Sequence, residues 1–431
     1  MVRLASIFFL IVLYGQLIIN AFGYYFNLSH PSWLAWAILY VLTALIAIKN
    51  LNNIRLLDYD LYFILFISYV CFSYIALGES DSQEFATWMF IICLGPYVSG
   101  RILGNHIGSM LVNNLNIILI LYILIILMEL VKNPALLFEH DRLFLFGTEA
   151  DPGFGTAYFI GLTFGSAWII VVARVILASN NVKKLKIDKF SLVNIFILPL
   201  FISGFGSRSS LFAMVVCVAL LVSVMFFISI RHGVNLLSKR IGLVSIVLIF
   251  CFFAYELLPE SRKLLLSQIF TFGWYTSNDE CALAGTSIIA RVTLIKESLR
   301  VFSDFPVFGV GASNFGLYYC GDKGEFLSPH STIAQVLAEF GIVGFSLYAL
   351  LIITMISKVV GRIRTYQYNL TSSIWVLFSL WLFMFLQMQI TGNIYYDFQF
   401  YLLTGLLASS LRNSEWVSVG IDSAQKINGK L

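Results

Sequence analysis

The residues best suited to chemistry are one histidine and two arginines in short polar stretches. His330 lies in Ser328-Pro329-His330-Ser331-Thr332, directly before an apolar run. Imidazole titrates near neutrality and can take a proton from an attacking hydroxyl. Ser331 or Thr332 can cap the helix that follows, which leaves His330 at its positive end, where an anion or a developing negative charge is favoured. Arg208 falls in Gly204-Phe205-Gly206-Ser207-Arg208-Ser209-Ser210, a turn between two apolar runs, and Arg291 in Ala290-Arg291-Val292-Thr293. A guanidinium presents a planar fork of donors that fits a phosphate through two parallel charge-assisted hydrogen bonds. Each residue also has a plainer reading: a snorkelling arginine, a solvated arginine, a hydrogen-bonded interfacial histidine.

Carboxylates supply a second set. Glu149 and Asp151, in Gly147-Thr148-Glu149-Ala150-Asp151-Pro152-Gly153, offer a general base or an acceptor-binding pair, and equally a solvated loop tip. Glu339 falls inside an apolar run, where a charge is costly and must find a partner, which favours a structural role over acceptor binding. No cysteine and histidine cluster has zinc-ligand spacing, so no metal is expected. Cys281 and Cys320 share one long polar stretch, and an oxidising exterior would let them pair as a disulfide. Cys71, Cys93, Cys217 and Cys251 lie in or beside apolar runs and read as packing residues.

The elements that must position these groups follow from composition. With 59% hydrophobic and 12% charged residues and a mean hydropathy of +0.87, the chain falls in the membrane class. Twelve apolar runs are long enough to cross about 30 Å of hydrocarbon as helices: 4–22, 32–48, 60–77, 86–101, 108–131, 154–179, 190–206, 209–230, 241–258, 331–357, 371–391 and 397–412. The first has no small-residue cleavage site behind it and reads as a retained span. Alternate connections from Arg3 to Lys430 hold 17 of the 27 basic residues, which assigns them and both termini to the cytoplasm. An external arginine at position 208 runs against that bias, which strengthens a binding role for it. The net charge of +4 needs no nucleic-acid partner.

The expected organisation is all-helical: a membrane bundle of about nine spans over 1–258, a large external loop over 259–330, and C-terminal spans with a cytoplasmic tail over 331–431. Loops of that length are usually functional. Within it, Thr286 to Phe302 has apolar residues at helical spacing, so one face should lie on the membrane surface or on the bundle. Phe305-Pro306-Val307-Phe308-Gly309-Val310-Gly311 then reads as a glycine-rich turn that lets the backbone pass close to something. External aromatics, among them Trp274, Tyr275, Tyr318, Tyr319, Tyr395 and Tyr396, could stack on sugars, although interfacial belts explain them as well. A transporter is disfavoured, because it would gather ionisable residues at the midplane and show repeated halves.

From Arg291 to Gly344 the chain resembles the O-antigen polymerase and O-antigen ligase superfamily. The order that carries the likeness is the arginine-bearing helix, Pro306-Val307-Phe308-Gly309-Val310-Gly311, Pro329-His330, then Glu339-Phe340-Gly341-Ile342-Val343-Gly344, with Ser207-Arg208-Ser209 as a second arginine motif. Where the family usually has asparagine after the histidine, this chain has Ser331. The resemblance implies a metal-independent, cofactor-free inverting glycosyltransferase of the GT-C type in the bacterial inner membrane, with a periplasmic site and undecaprenyl-pyrophosphate-linked glycan as donor. Carried over by motif, Arg208 and Arg291 would hold the donor pyrophosphate, and His330 would activate the acceptor hydroxyl. Thr148-Glu149-Ala150-Asp151-Pro152 resembles an acidic motif of the polymerases, which favours a second lipid-linked repeat unit as acceptor over the lipid A core that a ligase uses. A chain-length regulator protein is a further candidate partner.

Overall fold

A computed structural model describes residues 2–15, 18–19, 21, 31–49, 56–77, 89–132, 156–178, 194, 197–199, 202, 208–231, 288–320, 328–365, 372–395 and 397–412, and every regular element among them is helical. In chain order these are α1 (Val2–Tyr14), α2 (Pro31–Lys49), α3 (Asp58–Leu77), α4 (Gly95–Lys132), α5 (Thr156–Ala178), α6 (Arg208–Arg231), α7 (Ile288–Asp304), α8 (Phe315–Cys320), α9 (Thr332–Thr365), α10 (Ser372–Thr391), and α11 over 398–412. A π-helix, Met89–Leu94, leads into α4. Among the described residues, Asp58–Leu77, Thr332–Arg362 and Ile374–Thr391 are long and apolar enough to cross a membrane. This is a helical membrane protein.

Six of the runs expected from hydropathy, 32–48, 60–77, 154–179, 209–230, 371–391 and 397–412, appear as helices with ends shifted by at most two residues. The helix of run 4–22 ends at Tyr14, that of run 331–357 continues to Thr365, and 190–206 is described at only a few positions. The runs at 86–101 and 108–131 have a different outcome. Hydropathy suggests a turn at the polar stretch beginning with Arg101, but α4 continues through it as one helix of 38 residues, about 57 Å long. A helix satisfies its own backbone, so a polar stretch does not have to break it. Arg101 stays inside the bundle because it has a partner there. Its Nε lies 2.9 Å from Asp60 Oδ1 and its second terminal nitrogen 3.0 Å from Oδ2, while the Tyr97 hydroxyl donates to Oδ1 at 2.6 Å. Leu57 N–H donates to Asp60 Oδ2 at 2.9 Å, so the carboxylate, 3% exposed, is bonded from several sides.

The run at 241–258 and the acidic pair Glu149 and Asp151 lie outside the described residues. So do Cys281 and the side chain of Cys320, and with them the expected disulfide.

The core runs through both halves of the chain. Helix α3 packs along α9, and α10 packs against α5 and α6. One apolar cluster extends from Ala5 to Leu411 and includes the buried rings of Trp168, Trp375 and Trp381. The Trp381 indole still finds a partner, donating to Thr404 Oγ1 at 2.9 Å.

Helices α3 and α9 run antiparallel. Asp58 lies 3.4 Å from Lys358, Tyr69 donates to Phe340 O at 3.2 Å, and Leu77 O accepts from Asn314 Nδ2 at 2.7 Å. The Asp60–Arg101 pair and the start of α9 are therefore at opposite ends of the bundle.

Candidate functional site

His330 stands two residues before α9, half-buried, in the left-handed backbone region with φ 54. Histidine is among the residues that tolerate this region, but it still costs on the order of 1 kcal/mol. Helix α9 opens beside it. Ser331 O accepts from Gln335 N at 2.9 Å, which makes Ser331 the cap position by its backbone. The acceptor for the next free amide comes from another helix, since Ile333 N donates to Gln389 Oε1 at 3.1 Å. Thr332 turns its hydroxyl to Met388 O at 3.3 Å. The expectation that Ser331 or Thr332 supplies the capping side chain thus has a different outcome for the Ile333 amide: α10 supplies it.

Arg291 comes to the same place along α7. Positions 291, 294, 298 and 301 fall on one stripe of that helix, and Leu294, Ser298 and Val301 on it are buried. Leu294 and Val301 pack with Phe315 and Ala338 of α9, so this face lies on the bundle. Val292 and Leu299 are exposed. The half-buried Arg291 begins the bundle-facing stripe, close enough for its charge to act on His330. Burial first, and the Arg291 charge second, hold the His330 imidazole below its ordinary value, so it is neutral at pH 7. A neutral imidazole is the form that can accept a proton.

What fixes α7 against α9 is an exchange of backbone hydrogen bonds. Helix α9 is interrupted at Gly341, φ 60 and ψ −161. In an unbroken helix Ile342 N–H would donate to Ala338 O and Val343 N–H to Glu339 O. Here Ala338 O accepts instead from Val310 N at 3.0 Å, and Glu339 O from Gly311 N at 2.9 Å. Ile342 N donates to Pro306 O at 2.8 Å and Val343 N to Val307 O at 3.3 Å. Both carbonyls and both amides freed by the break are paired with the loop. The approach is so close that a Cβ on Gly309 would lie 2.3 Å from Glu339 C, and one on Gly341 2.4 Å from Val307 O. The two glycine motifs of the sequence are the two sides of one joint.

Glu339 belongs to this joint. It is 1% exposed, and its carboxylate accepts from the Tyr395 hydroxyl and from Gln335 Nε2 at 3.4 Å. Ser313 N–H donates to the same tyrosine hydroxyl at 2.9 Å, and Gln335 Oε1 accepts from Ile394 N at 3.0 Å. The network ties α9 to residues 313 and 393–397, about 10 Å along the axis from the start of α9. A buried carboxylate held in this way braces the loop and is removed from His330.

Arg208 is the first residue of α6; its side chain lies outside the described residues. Its neighbour Ser209 accepts at Oγ from Gln387 Nε2 at 3.1 Å. Gln387 precedes the Met388 and Gln389 groups that hold the start of α9. The structure therefore gathers the starts of α6 and α9 around the last turns of α10, with α7 bringing Arg291 to His330. Tyr395 faces inward to Glu339, which removes it from the aromatics available for stacking. Among the described residues no group of three or more His, Cys, Asp or Glu could hold a metal ion.

Gln387 and Gln389 are not among the site residues that the sequence singles out. The signal was present in Leu386-Gln387-Met388-Gln389-Ile390, where two amides interrupt an apolar span.

A family model described as O-antigen ligase matches residues 193–349, a stretch that holds Arg208, Arg291, His330 and Glu339 and stops short of α10. No curated protein matches the chain.

Proposed function

We propose, from the match of residues 193–349 to a family model described as O-antigen ligase, that the chain is a glycosyltransferase acting on an undecaprenyl-pyrophosphate-linked glycan at the periplasmic face. Members of this family are membrane glycosyltransferase-like enzymes. The observation that carries the reading is a half-buried histidine at the amino-terminal end of a membrane helix, where burial and the charge of Arg291 disfavour its protonation.

The chemistry follows from the groups present. The acceptor hydroxyl oxygen attacks the anomeric carbon, and His330 takes its proton as the new glycosidic bond forms. The bond from that carbon to the pyrophosphate oxygen breaks, and its electron pair leaves with undecaprenyl pyrophosphate. Arg208 and Arg291 stabilise the negative charge that grows on the leaving group, in a site partly withdrawn from water where such stabilisation is strong. Attack from the side opposite the leaving group inverts the anomeric centre. The joint at Gly341 holds Arg291 in register with His330, so the cation and the base keep their separation while substrate moves.

The acceptor we propose is a second lipid-linked repeat unit, which makes the enzyme a polymerase. The acidic stretch Thr148-Glu149-Ala150-Asp151-Pro152 supports this choice, with Glu149 and Asp151 as acceptor-side residues. The ligase description of the matched family supports the alternative, transfer to the lipid A core.

The deciding experiment is the lipopolysaccharide banding pattern of a strain lacking the gene, with lipid-linked glycans extracted in parallel. Core capped with a single repeat unit is the expected result. Uncapped core with accumulated lipid-linked polymer would make the protein a ligase. Both patterns normal would overturn the reading.

A further inference from the structure

Helix α10 lies beyond the matched family stretch and carries two amides in an otherwise apolar segment, Phe385-Leu386-Gln387-Met388-Gln389-Ile390. Gln387 is 1% exposed. Its Nε2 donates to Ser209 Oγ at 3.1 Å and to Thr391 Oγ1 at 3.1 Å. Its Oε1 has no hydrogen-bond partner among the described residues. A buried, unused carbonyl oxygen is a stability cost on the order of 1 to 3 kcal/mol, and a leucine would fill the same space without it. The two bonds donated by Nε2 offset that cost, and the one to Ser209 reaches the residue after Arg208 at the start of α6.

Gln389 makes the matching connection on the other side. Its Oε1 accepts from Ile333 N at 3.1 Å at the start of α9, three residues after His330, while its Nε2 donates to Phe385 O at 3.1 Å in its own helix. Between the two amides, Met388 O accepts from Thr332 Oγ1 at 3.3 Å. Three consecutive residues of one helical turn thus hold the starts of two other helices, one bearing the arginine and the other following the histidine. Both bonds are partly buried, with Gln387 itself withdrawn from water.

We propose that the 387–389 turn of α10 is the positioning element of the site, with Gln387 setting the start of the Arg208 helix and Gln389 the start of the His330 helix, so that the leaving-group cation and the base are held at a fixed separation. This rests on the glycosyl-transfer reading above. Neither glutamine touches the reacting atoms. Each acts through the helix start it holds, and a displacement of about 1 Å in such a constellation is enough to cost on the order of 100-fold in rate.

The test uses the full-length protein in proteoliposomes with undecaprenyl-pyrophosphate-linked repeat units, reading kcat, KM, thermal unfolding and binding of undecaprenyl pyrophosphate. Gln387→Leu and Gln389→Leu are expected to lower kcat by about 10- to 100-fold, with KM and pyrophosphate binding within about twofold; Gln387→Leu should keep the unfolding midpoint near wild type, whereas Gln389→Leu, which leaves the Ile333 amide without its acceptor, should lower it. Gln389→Glu, which keeps an acceptor for the Ile333 amide, should recover most of the rate. Ser209→Ala should repeat the kcat effect of Gln387→Leu, and the double variant should add nothing to it, since both remove the Gln387–Ser209 bond and the bond to Thr391 that Gln387→Leu also removes lies within α10. The inference is overturned if the leucine variants turn over at the wild-type rate, if the kcat loss of Gln387→Leu tracks a lowered midpoint, or if Gln389→Glu is no better than Gln389→Leu. A wild-type protein that turns over and binds undecaprenyl pyrophosphate while those variants behave normally defeats this inference alone. One that does neither defeats the glycosyl-transfer reading and this inference with it.

Discussion

Arg101, at one end of the bundle, meets the buried Asp60 carboxylate through two parallel bonds, whereas Arg291, at the other, lies where its charge falls on His330. The first arrangement neutralises the cation inside the fold and holds α3 against α4. The second sets a positive charge near a group whose protonation burial first, and that charge second, disfavours. Both arginines are withdrawn from water, so burial does not separate them; the neighbour does. A carboxylate partner makes an arginine a clasp. A buried imidazole under such a charge is held in the neutral form that a base requires.

The largest expected effect is at the second end. His330→Ala should lower kcat by about 100- to 10,000-fold, the range of a general base, and leave the unfolding midpoint near that of wild type. A variant that unfolds early would move His330 to the structural side of the comparison. Arg101→Leu should do the reverse, destabilising the protein by about 3 to 5 kcal/mol in thermal or denaturant unfolding, because Asp60 is left buried and uncompensated. Replacing both partners with leucine should restore most of that loss. If Arg101→Leu instead abolishes turnover at full stability, the contrast between the two ends fails.

Arg291→Gln tests the electrostatic half of the comparison. With the positive charge gone, the His330 value rises toward the ordinary imidazole range, so the acid limb of the kcat profile should move to higher pH. An unmoved limb, read from the pH dependence of kcat, would mean that burial alone holds the histidine neutral. Gly341→Ala tests the joint. It forces a side chain into the left-handed region against Val307 O and should cost about 1 to 3 kcal/mol of stability, with kcat falling as α7 and Arg291 lose register. The smallest effect is expected for Lys358→Ala. Its bond to Asp58 is at an exposed surface, and removal should change stability by less than about 0.5 kcal/mol.

Much of the fold is legible residue by residue. The starts of α3, α6, α9 and α10 fall within a few residues of the boundaries that hydropathy indicates, because a backbone in hydrocarbon has to form helices wherever apolar runs are long enough. The helix bearing Arg291 is legible from its apolar spacing, although spacing alone left the membrane surface and the bundle as equal supports. Arg101 is not legible in the same way. Polarity at positions 101 to 109 looks like a turn until the partner, Asp60, is brought alongside it. Within the candidate site, His330 and Arg291 can be singled out by residue type, while Gln387 and Gln389 read as ordinary polar interruptions of a span.

Composition, charge distribution and motif order by themselves pointed to a helical membrane protein and to His330, Arg208 and Arg291 as its candidate chemistry-bearing residues. Those are local properties, set by transfer into hydrocarbon and by the side-chain chemistry of single residues. Only the tertiary structure decided that the loop Pro306–Gly311 replaces the missing hydrogen bonds of α9 at Gly341, that Glu339 braces that joint, and that α10 holds the starts of two helices. Each of these depends on which free amide meets which free carbonyl between segments distant in the chain. Such pairings are fixed by the geometry of packing, where an unpaired buried group is costly and a close approach is open only to glycine.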